Sequence, residues 1–247
     1  MLLAAGLANE ELPCLAVMIG KTLGAQPALG ALLDIRERMV SHLLNIDETL
    51  ANKVATGLGL KALPKPADAA MPTRQDLDPS PKLSIVENGP ERFEGRKLGI
   101  LVTDGTDAGL LKALKSALAR AGATFEIIAP KVGGARASDG SWIEADQMID
   151  GAPSVLYDAV ALLPAEAAMD DLLQESTARD FVADAFAHCK FIGHVEAAVP
   201  LFAKAGIAGA DLDEGFVALT RSKDAAGFIE KLGQLRVWGR EPSVKMK

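Results

Sequence analysis

The sequence predicts an α/β fold, a doubly wound three-layer sandwich on a parallel sheet, preceded by short helices and a Pro-rich linker. Three observations carry this. From Arg96 to Leu118, RKLGILVTDGTDAGLLKALKSAL, a short apolar run gives way to a turn of Asp, Gly and Thr and then to apolar residues at helical spacing, which reads as strand, loop, helix. Within it Leu98, Ile100, Leu101 and Val102 read as a strand covered on both faces, as in a parallel sheet. The same alternation then repeats to the end of the chain. The expected division is a helical segment over 1–60, a linker over 61–95 and the sandwich over 96–247.

Residues 1–33 are apolar, interrupted by Gly20, Gly24, Pro27 and Gly30, with a helix expected from Glu10 to Thr22 and broken at Pro13. Asp34–Leu44 sets Ile35, Met39 and Leu43 along one face, with Arg36, Glu37 and Arg38 away from it, as in an amphipathic helix. Asp47 is placed to cap a second helix carrying Ile46, Leu50 and Val54, stopped by Gly57 and Gly59. Pro64, Pro66, Pro72, Pro79, Pro81 and Pro90 then accumulate, the composition of a stiff linker. Only LSIV, Leu83–Val86, breaks that pattern; it reads as an edge strand or as a piece that packs on a partner. After the first strand and helix, Ala123–Ala129 is a second strand, entered at Gly122 and ended by Pro130. Val132–Gly140 is read as a flexible Gly-rich turn, and Trp142–Asp146 with the following MIDGAPSV as a short hairpin leading into a connector. Tyr157–Leu163 is a third strand, Asp170–Ala187 one helix, Lys190–Val195 a fourth strand, and Ala197–Lys204 a helix. Phe216–Leu219 and a helix over Ser222–Leu232 close the domain. Four or five strands alternating with helices over ~150 residues suit a flavodoxin-like sandwich.

A net charge of −7 and a pI near 5.1 argue against nucleic acid as the main partner, because phosphate binding needs a basic surface. No apolar run has the length of a membrane helix. The N-terminus lacks an initial Lys or Arg and carries Glu10 and Glu11 within its apolar stretch, so it is read as no signal peptide and the chain as cytoplasmic. Cys14 and Cys189 lie far apart and suggest neither a disulfide framework nor a zinc site.

Residues 35–60 and 81–247 resemble the C-terminal end of a large-subunit haem catalase, through LSIVENGP, EGRKLGILVTDGTDA, DGSWIEAD, PSVLYDAVALLP, AFAHCKFIG and the tail RVWGRE. The resemblance implies a helical segment, an extended linker and a flavodoxin-like domain akin to the ThiJ/PfpI superfamily, a class I glutamine-amidotransferase-like fold. It also implies peroxide disproportionation on haem in the intact family enzyme, and subunit assembly as a tetramer. The family's haem domain supplies a distal His and Asn and a proximal Tyr. Here the sole Tyr, Tyr157, stands at the start of a buried strand and reads as a packing residue, and His42 lies on an amphipathic helix. The chain alone is therefore expected to bind no haem and to be inactive, with a haem-catalase domain or a second copy of itself as partner. Residues 1–33 fall outside the resemblance, so a truncated, split or frame-shifted product is expected.

The superfamily's own chemistry uses a Cys on a strained strand-to-helix elbow, an acid after the first strand and a glycine pair after a middle strand. The elbow falls here at Val195 or Glu196, the acid near Gly109 with Asp107 two residues earlier, and the glycines at Ala165 and Glu166. Cys189 precedes the strand and does not reach the elbow. Asp107, Glu166, His194, Val195 and Glu196 remain as a candidate vestigial pocket at the C-terminal ends of the strands. The competing readings are a helix cap for Glu196, a packed His for His194, and capping for Asp104 or Asp107. No catalytic residue, cofactor or metal ligand is assigned. Besides an assembly and stability module, two further functions stay open: a chaperone-like binder and a small-molecule hydrolase or glyoxalase-like enzyme.

Overall fold

The structure, a computed structural model, describes residues 33–244 except 75 and 79. The helix expected over 10–22 and Cys14 lie outside them. The chain divides at Gly89/Pro90 into two compact units.

In the first unit, α1 (Leu33–Leu43) and α2 (Glu48–Gly57) pack around Val40, Leu43, Leu50, Ala51, Val54, Ala55 and Leu58. Asp47 caps α2 as its sequence predicts, its Oδ1 accepting from the Leu50 amide at 2.7 Å. The apolar face of α1 is displaced from expectation. Two helices bury one narrow seam of each other, and in α1 it runs through Val40 and Leu43 while Met39 is 37% exposed. The Pro-rich stretch is tied to this pair. The Ala67 amide donates to Ser41 O, Asn45 Nδ2 to Ala67 O, and Thr73 Oγ1 to Asn45 O. LSIV forms no strand: a 3-10 turn at Pro81–Leu83 leads into α3 (Ile85–Asn88), with Ser84 Oγ accepting from the Glu87 amide at 3.1 Å. Ser-x-x-Glu is the start signal of a helix, and it prevails over the apolar run.

The second unit is α/β. A six-stranded sheet runs in the order β5 (Gln147–Met148), β2 (Thr124–Ala129), β1 (Lys97–Val102), β6 (Ala159–Leu163), β7 (Ile192–His194), β8 (Phe216–Ala218), each neighbouring pair parallel. Helices cover both faces. One core joins Leu98, Ile100 and Val102 to Leu114 and Leu118 of α4 (Ala108–Arg120) and Phe228 of α8 (Asp224–Lys231). The other joins Leu101, Val160 and Ile192 to Leu172 of α5 (Met169–Gln174), Phe181 of α6 (Ser176–Ala187) and Leu201 of α7 (Val199–Lys204). Alternation along β1 thus feeds two buried layers, as its continuous apolar run requires.

Two expectations are corrected here. The single helix over 170–187 is two, because Glu175 leaves the helical region (φ −75°, ψ 115°) just ahead of Ser176 and Thr177, residues that favour helix starts over interiors. The hairpin expected from Trp142 onward instead pairs β4 (Trp142–Ile143) backwards with β3 (Ala135–Arg136), inside the segment read as a flexible turn. Gly134 (φ +112°) permits it: a Cβ there would lie 2.0 Å from Ile143 O. Residues 147–148 then join the main sheet as β5. No described helix is long and apolar enough to cross a membrane.

Candidate functional site

In a parallel sheet the place for a ligand is the crevice outside the carboxyl ends of the strands, where successive connections leave in opposite directions. Here that point lies between β1 and β6, since the chain goes from β1 outward to β2 and returns to β6 on the other side of β1. Two threonines tie its loops together. Thr106 Oγ1 donates to Leu163 O at 2.7 Å and accepts from the Thr103 amide at 3.0 Å. Thr103 Oγ1 in turn accepts from the Ala165 amide at 2.9 Å. Both residues are buried, and Gly105 (φ +87°) lies so close to the facing loop that a Cβ would meet that of Ala165 at 2.8 Å.

The five residues singled out in the sequence lie at or after the carboxyl ends of β1, β6 and β7. Asp107 caps α4, its Oδ1 accepting from the Leu110 amide at 2.8 Å. Glu166 is exposed and opens a 3-10 turn, Glu166–Ala168. His194 ends β7 half-buried, its ring edge-on to Phe202 with centroids 5.0 Å apart and its Nδ1 3.3 Å from Val195 O. Burial pushes its imidazole below the usual range and favours the neutral form. Val195 packs against both cores and donates its amide to Leu162 O at 3.0 Å. Glu196 is exposed in the first turn of the 3-10 segment Glu196–Ala198; Val195 occupies the N-cap position and no side chain caps that turn. His194, Val195 and Glu196 are thus adjacent along one strand end, while Asp107 is engaged in its own helix.

A cleft of about 380 Å³ opens to one side, between the loop after β2 and α5, and the sequence reading did not single it out. Among its lining residues, exposed Asp104 accepts from the Arg136 amide (2.8 Å) and Lys131 Nζ (2.9 Å), and these two donors hold its carboxyl below the ordinary range. Asp104 follows the first strand in sequence, but its partners come from the loop after β2 and from β3, whose pairing is invisible there.

Cys189 is buried at the end of α6, at the opposite end of β7 from Val195, with φ +54°. Tyr157 is equally buried. Its hydroxyl donates to Glu126 Oε2 at 2.8 Å, Lys97 Nζ holds the other oxygen of that carboxylate, and burial raises the phenol above its ordinary pKa. A tyrosine ligand to haem iron must present an available phenolate, so Tyr157 does not fit that role. The described histidines do not supply an alternative: His42 is exposed on α1, His188 Nδ1 contacts Asp184 O at 2.7 Å, and His194 packs on Phe202.

The C-terminal domain found in long catalases matches residues 94–242. Catalase C of Rhizobium meliloti (strain 1021) is 66% identical over 213 residues, which cover 86% of this chain and 30% of that protein. Catalase HPII of Mycobacterium avium is 32% identical over 221 residues, covering 84% and 31%, and Catalase-B of Dictyostelium discoideum 28% identical over 219, covering 85% and 30%. The chain spans about three tenths of the length of these curated relatives. The matched residues take in the whole six-stranded sheet and the helices on both its faces, and the chain belongs to the family of C-terminal domains of long catalases.

Proposed function

We propose that this chain is the non-catalytic C-terminal module of a large-subunit catalase, acting in the assembly and stability of a haem-bearing domain that disproportionates hydrogen peroxide. The observation that carries this is the crevice between β1 and β6, its loops tied together: its threonines are committed to each other and to backbone, at the place where a catalytic sandwich would hold substrate. Val195 at the elbow has no nucleophile to offer. The fold is of flavodoxin-like type, supported by the strand order β2-β1-β6-β7-β8 with β5 added at one edge. The division into a helical segment (1–60), a linker (61–95) and the sandwich (96–247) goes with this reading, as do a cytoplasmic location and haem supplied by the partner domain. Leu33, Met71 and Leu77 of the first unit are 58%, 68% and 52% exposed, apolar surface of the kind a partner domain or a second copy covers.

The test is co-expression with Catalase C of Rhizobium meliloti lacking its own matching C-terminal region. Co-elution of the two pieces, and slower thermal loss of oxygen evolution from peroxide than for the truncated enzyme alone, is the expected result. Separate elution with an unchanged inactivation rate refutes assembly. Oxygen evolution by this chain alone with added haem refutes the non-catalytic reading.

A further inference from the structure

Two described residues other than glycine have positive φ, Cys189 at +54° and Leu235 at +66°, and one hydrogen bond separates their neighbourhoods: the Val237 amide donates to Cys189 O at 2.8 Å. Leu235 (ψ −51°) is the centre of a three-residue turn closed by the Arg236 amide on Gln234 O at 2.8 Å. That is the strained hand of the γ-turn, which side-chain-bearing residues avoid. In the segment that follows, Arg236 Nη1 donates to Asp158 O at 2.9 Å and Val237 is buried in the core. Arg240 is buried, with Nε and Nη2 each 2.7 Å from an oxygen of Asp213 and Nη1 donating to Lys190 O at 2.7 Å. Its guanidinium lies over the adjoining rings of Phe186 and Phe216, 4.9 and 5.0 Å from their centroids. Gly215 is cut to seat this segment, since a Cβ there would lie 2.3 Å from Arg240 Nη2 and 2.4 Å from Val237 Cγ2.

We infer that residues 236–243 form a sprung strap, pinned by Arg240 and loaded at Leu235, that opens from the domain as one unit while the sheet stays folded. Strain at its hinge is relieved on opening, whereas the pin is lost in the same event, so the strap has a closed and an open state rather than a graded fraying. Opening bares the rings of Phe186 and Phe216 and the seat of Val237, apolar surface beside the Lys190 backbone.

Native-state hydrogen exchange on the full chain tests this, comparing the amides of Val237 and Arg240, bonded to Cys189 O and Val237 O, with those of β1. The strap amides are expected to exchange on the order of a hundredfold faster than those of β1. Leu235→Gly relieves the hinge, whereas Leu235→Ala loses the same side chain but keeps the Cβ. Strap exchange is expected to be roughly tenfold slower in the glycine variant than in the alanine one, with β1 unmoved. Gly215→Ala, which crowds the seat without altering the strap, is expected to speed the strap amides alone. Equal rates in the two Leu235 variants overturn the spring. Strap amides that exchange with β1 in wild type, or a Gly215→Ala effect shared equally by β1, overturn the separate opening.

Discussion

Lys190 is 2% exposed at the start of the β7 segment, and its Nζ donates to the carbonyls of Ser154 and Tyr157. Burial, with the Arg236 guanidinium nearby, lowers its pKa from 10.5 to about 8, against the opposing pull of Asp158 and Asp184. In the unfolded chain the amine returns to its ordinary value. Below pH 8 both states carry the proton, and the folded state bears the full cost of a buried charge, on the order of 3 kcal/mol at about 1.4 kcal/mol per unit. Between pH 8 and 10.5 the unfolded state binds more protons, so stability rises with pH at up to about 1.4 kcal/mol per unit. Tyr157 acts the other way. Its pKa is raised, so its stabilisation is lost as pH rises past the ordinary phenol value near 10. The clean window is pH 8 to 9.5, where urea unfolding should show wild type gaining about 2 kcal/mol. A neutral amine still donates two hydrogen bonds, so both carbonyls stay satisfied through the titration. Lys190→Met removes both the charge and the donors; these oppose each other, and its stability should change little at pH 7 and not rise above pH 8. A wild-type stability that is flat from pH 8 to 9.5, or that moves in parallel with Lys190→Met, would refute this reasoning.

Gly99→Ala should destabilise the domain by about 1–3 kcal/mol in urea unfolding, because its Cβ would lie 2.6–3.0 Å from the buried ring of Tyr157. Thr106→Val keeps the volume but strips the Thr103 amide and Leu163 O of a partner in a buried site; about 2 kcal/mol of lost stability is expected, with backbone exchange at Thr103 speeding up accordingly. Asp107→Ala should cost about 1 kcal/mol, the value of an N-cap, and a cost well above that would give Asp107 a role beyond capping α4.

What was legible in the sequence were features written locally. The run Lys97–Val102, the cap residues Asp47 and Asp107, and the alternation of strands with helices all declare themselves within a few residues, since periodicity and capping are short-range. What was not legible depends on distant segments. Nothing near Gly134 announces that Ile143 will approach its backbone, so the sequence of the hairpin reads as a flexible turn. Met39 and Val40 are both apolar, and the position of α2 decides which is buried. Ser84 and Glu87 did carry a readable helix start, masked by the apolar residues between them. Around the candidate site, the identity of Val195 after β7 was visible. The tie between the loops was not, because it needs Thr103 and Thr106 to meet Leu163 and Ala165 some sixty residues on, with sequence separations of 57 and 62 for the two bonds.

The two ends of the sheet divide the chemistry between them. At the β1–β6 crevice, uncharged hydroxyls bond to backbone, pairs that are cheap to bury, and the charged pair in the cleft beside it, Asp104 with Lys131, is exposed. At the amino ends lie the costly groups: Lys190 on two carbonyls, Arg240 with Asp213, Arg236 Nη1 on Asp158 O, and Tyr157 on Glu126. Buried charges of this kind add little net stability over apolar replacements, but they tolerate few alternative arrangements. They therefore define where the strap and the turn at Ser154–Leu156 sit rather than how tightly the core holds. A catalytic sandwich spends its difficult electrostatics at the carboxyl ends, around substrate. Here the buried cations Lys190 and Arg240 hold the protein's own backbone carbonyls at the other end.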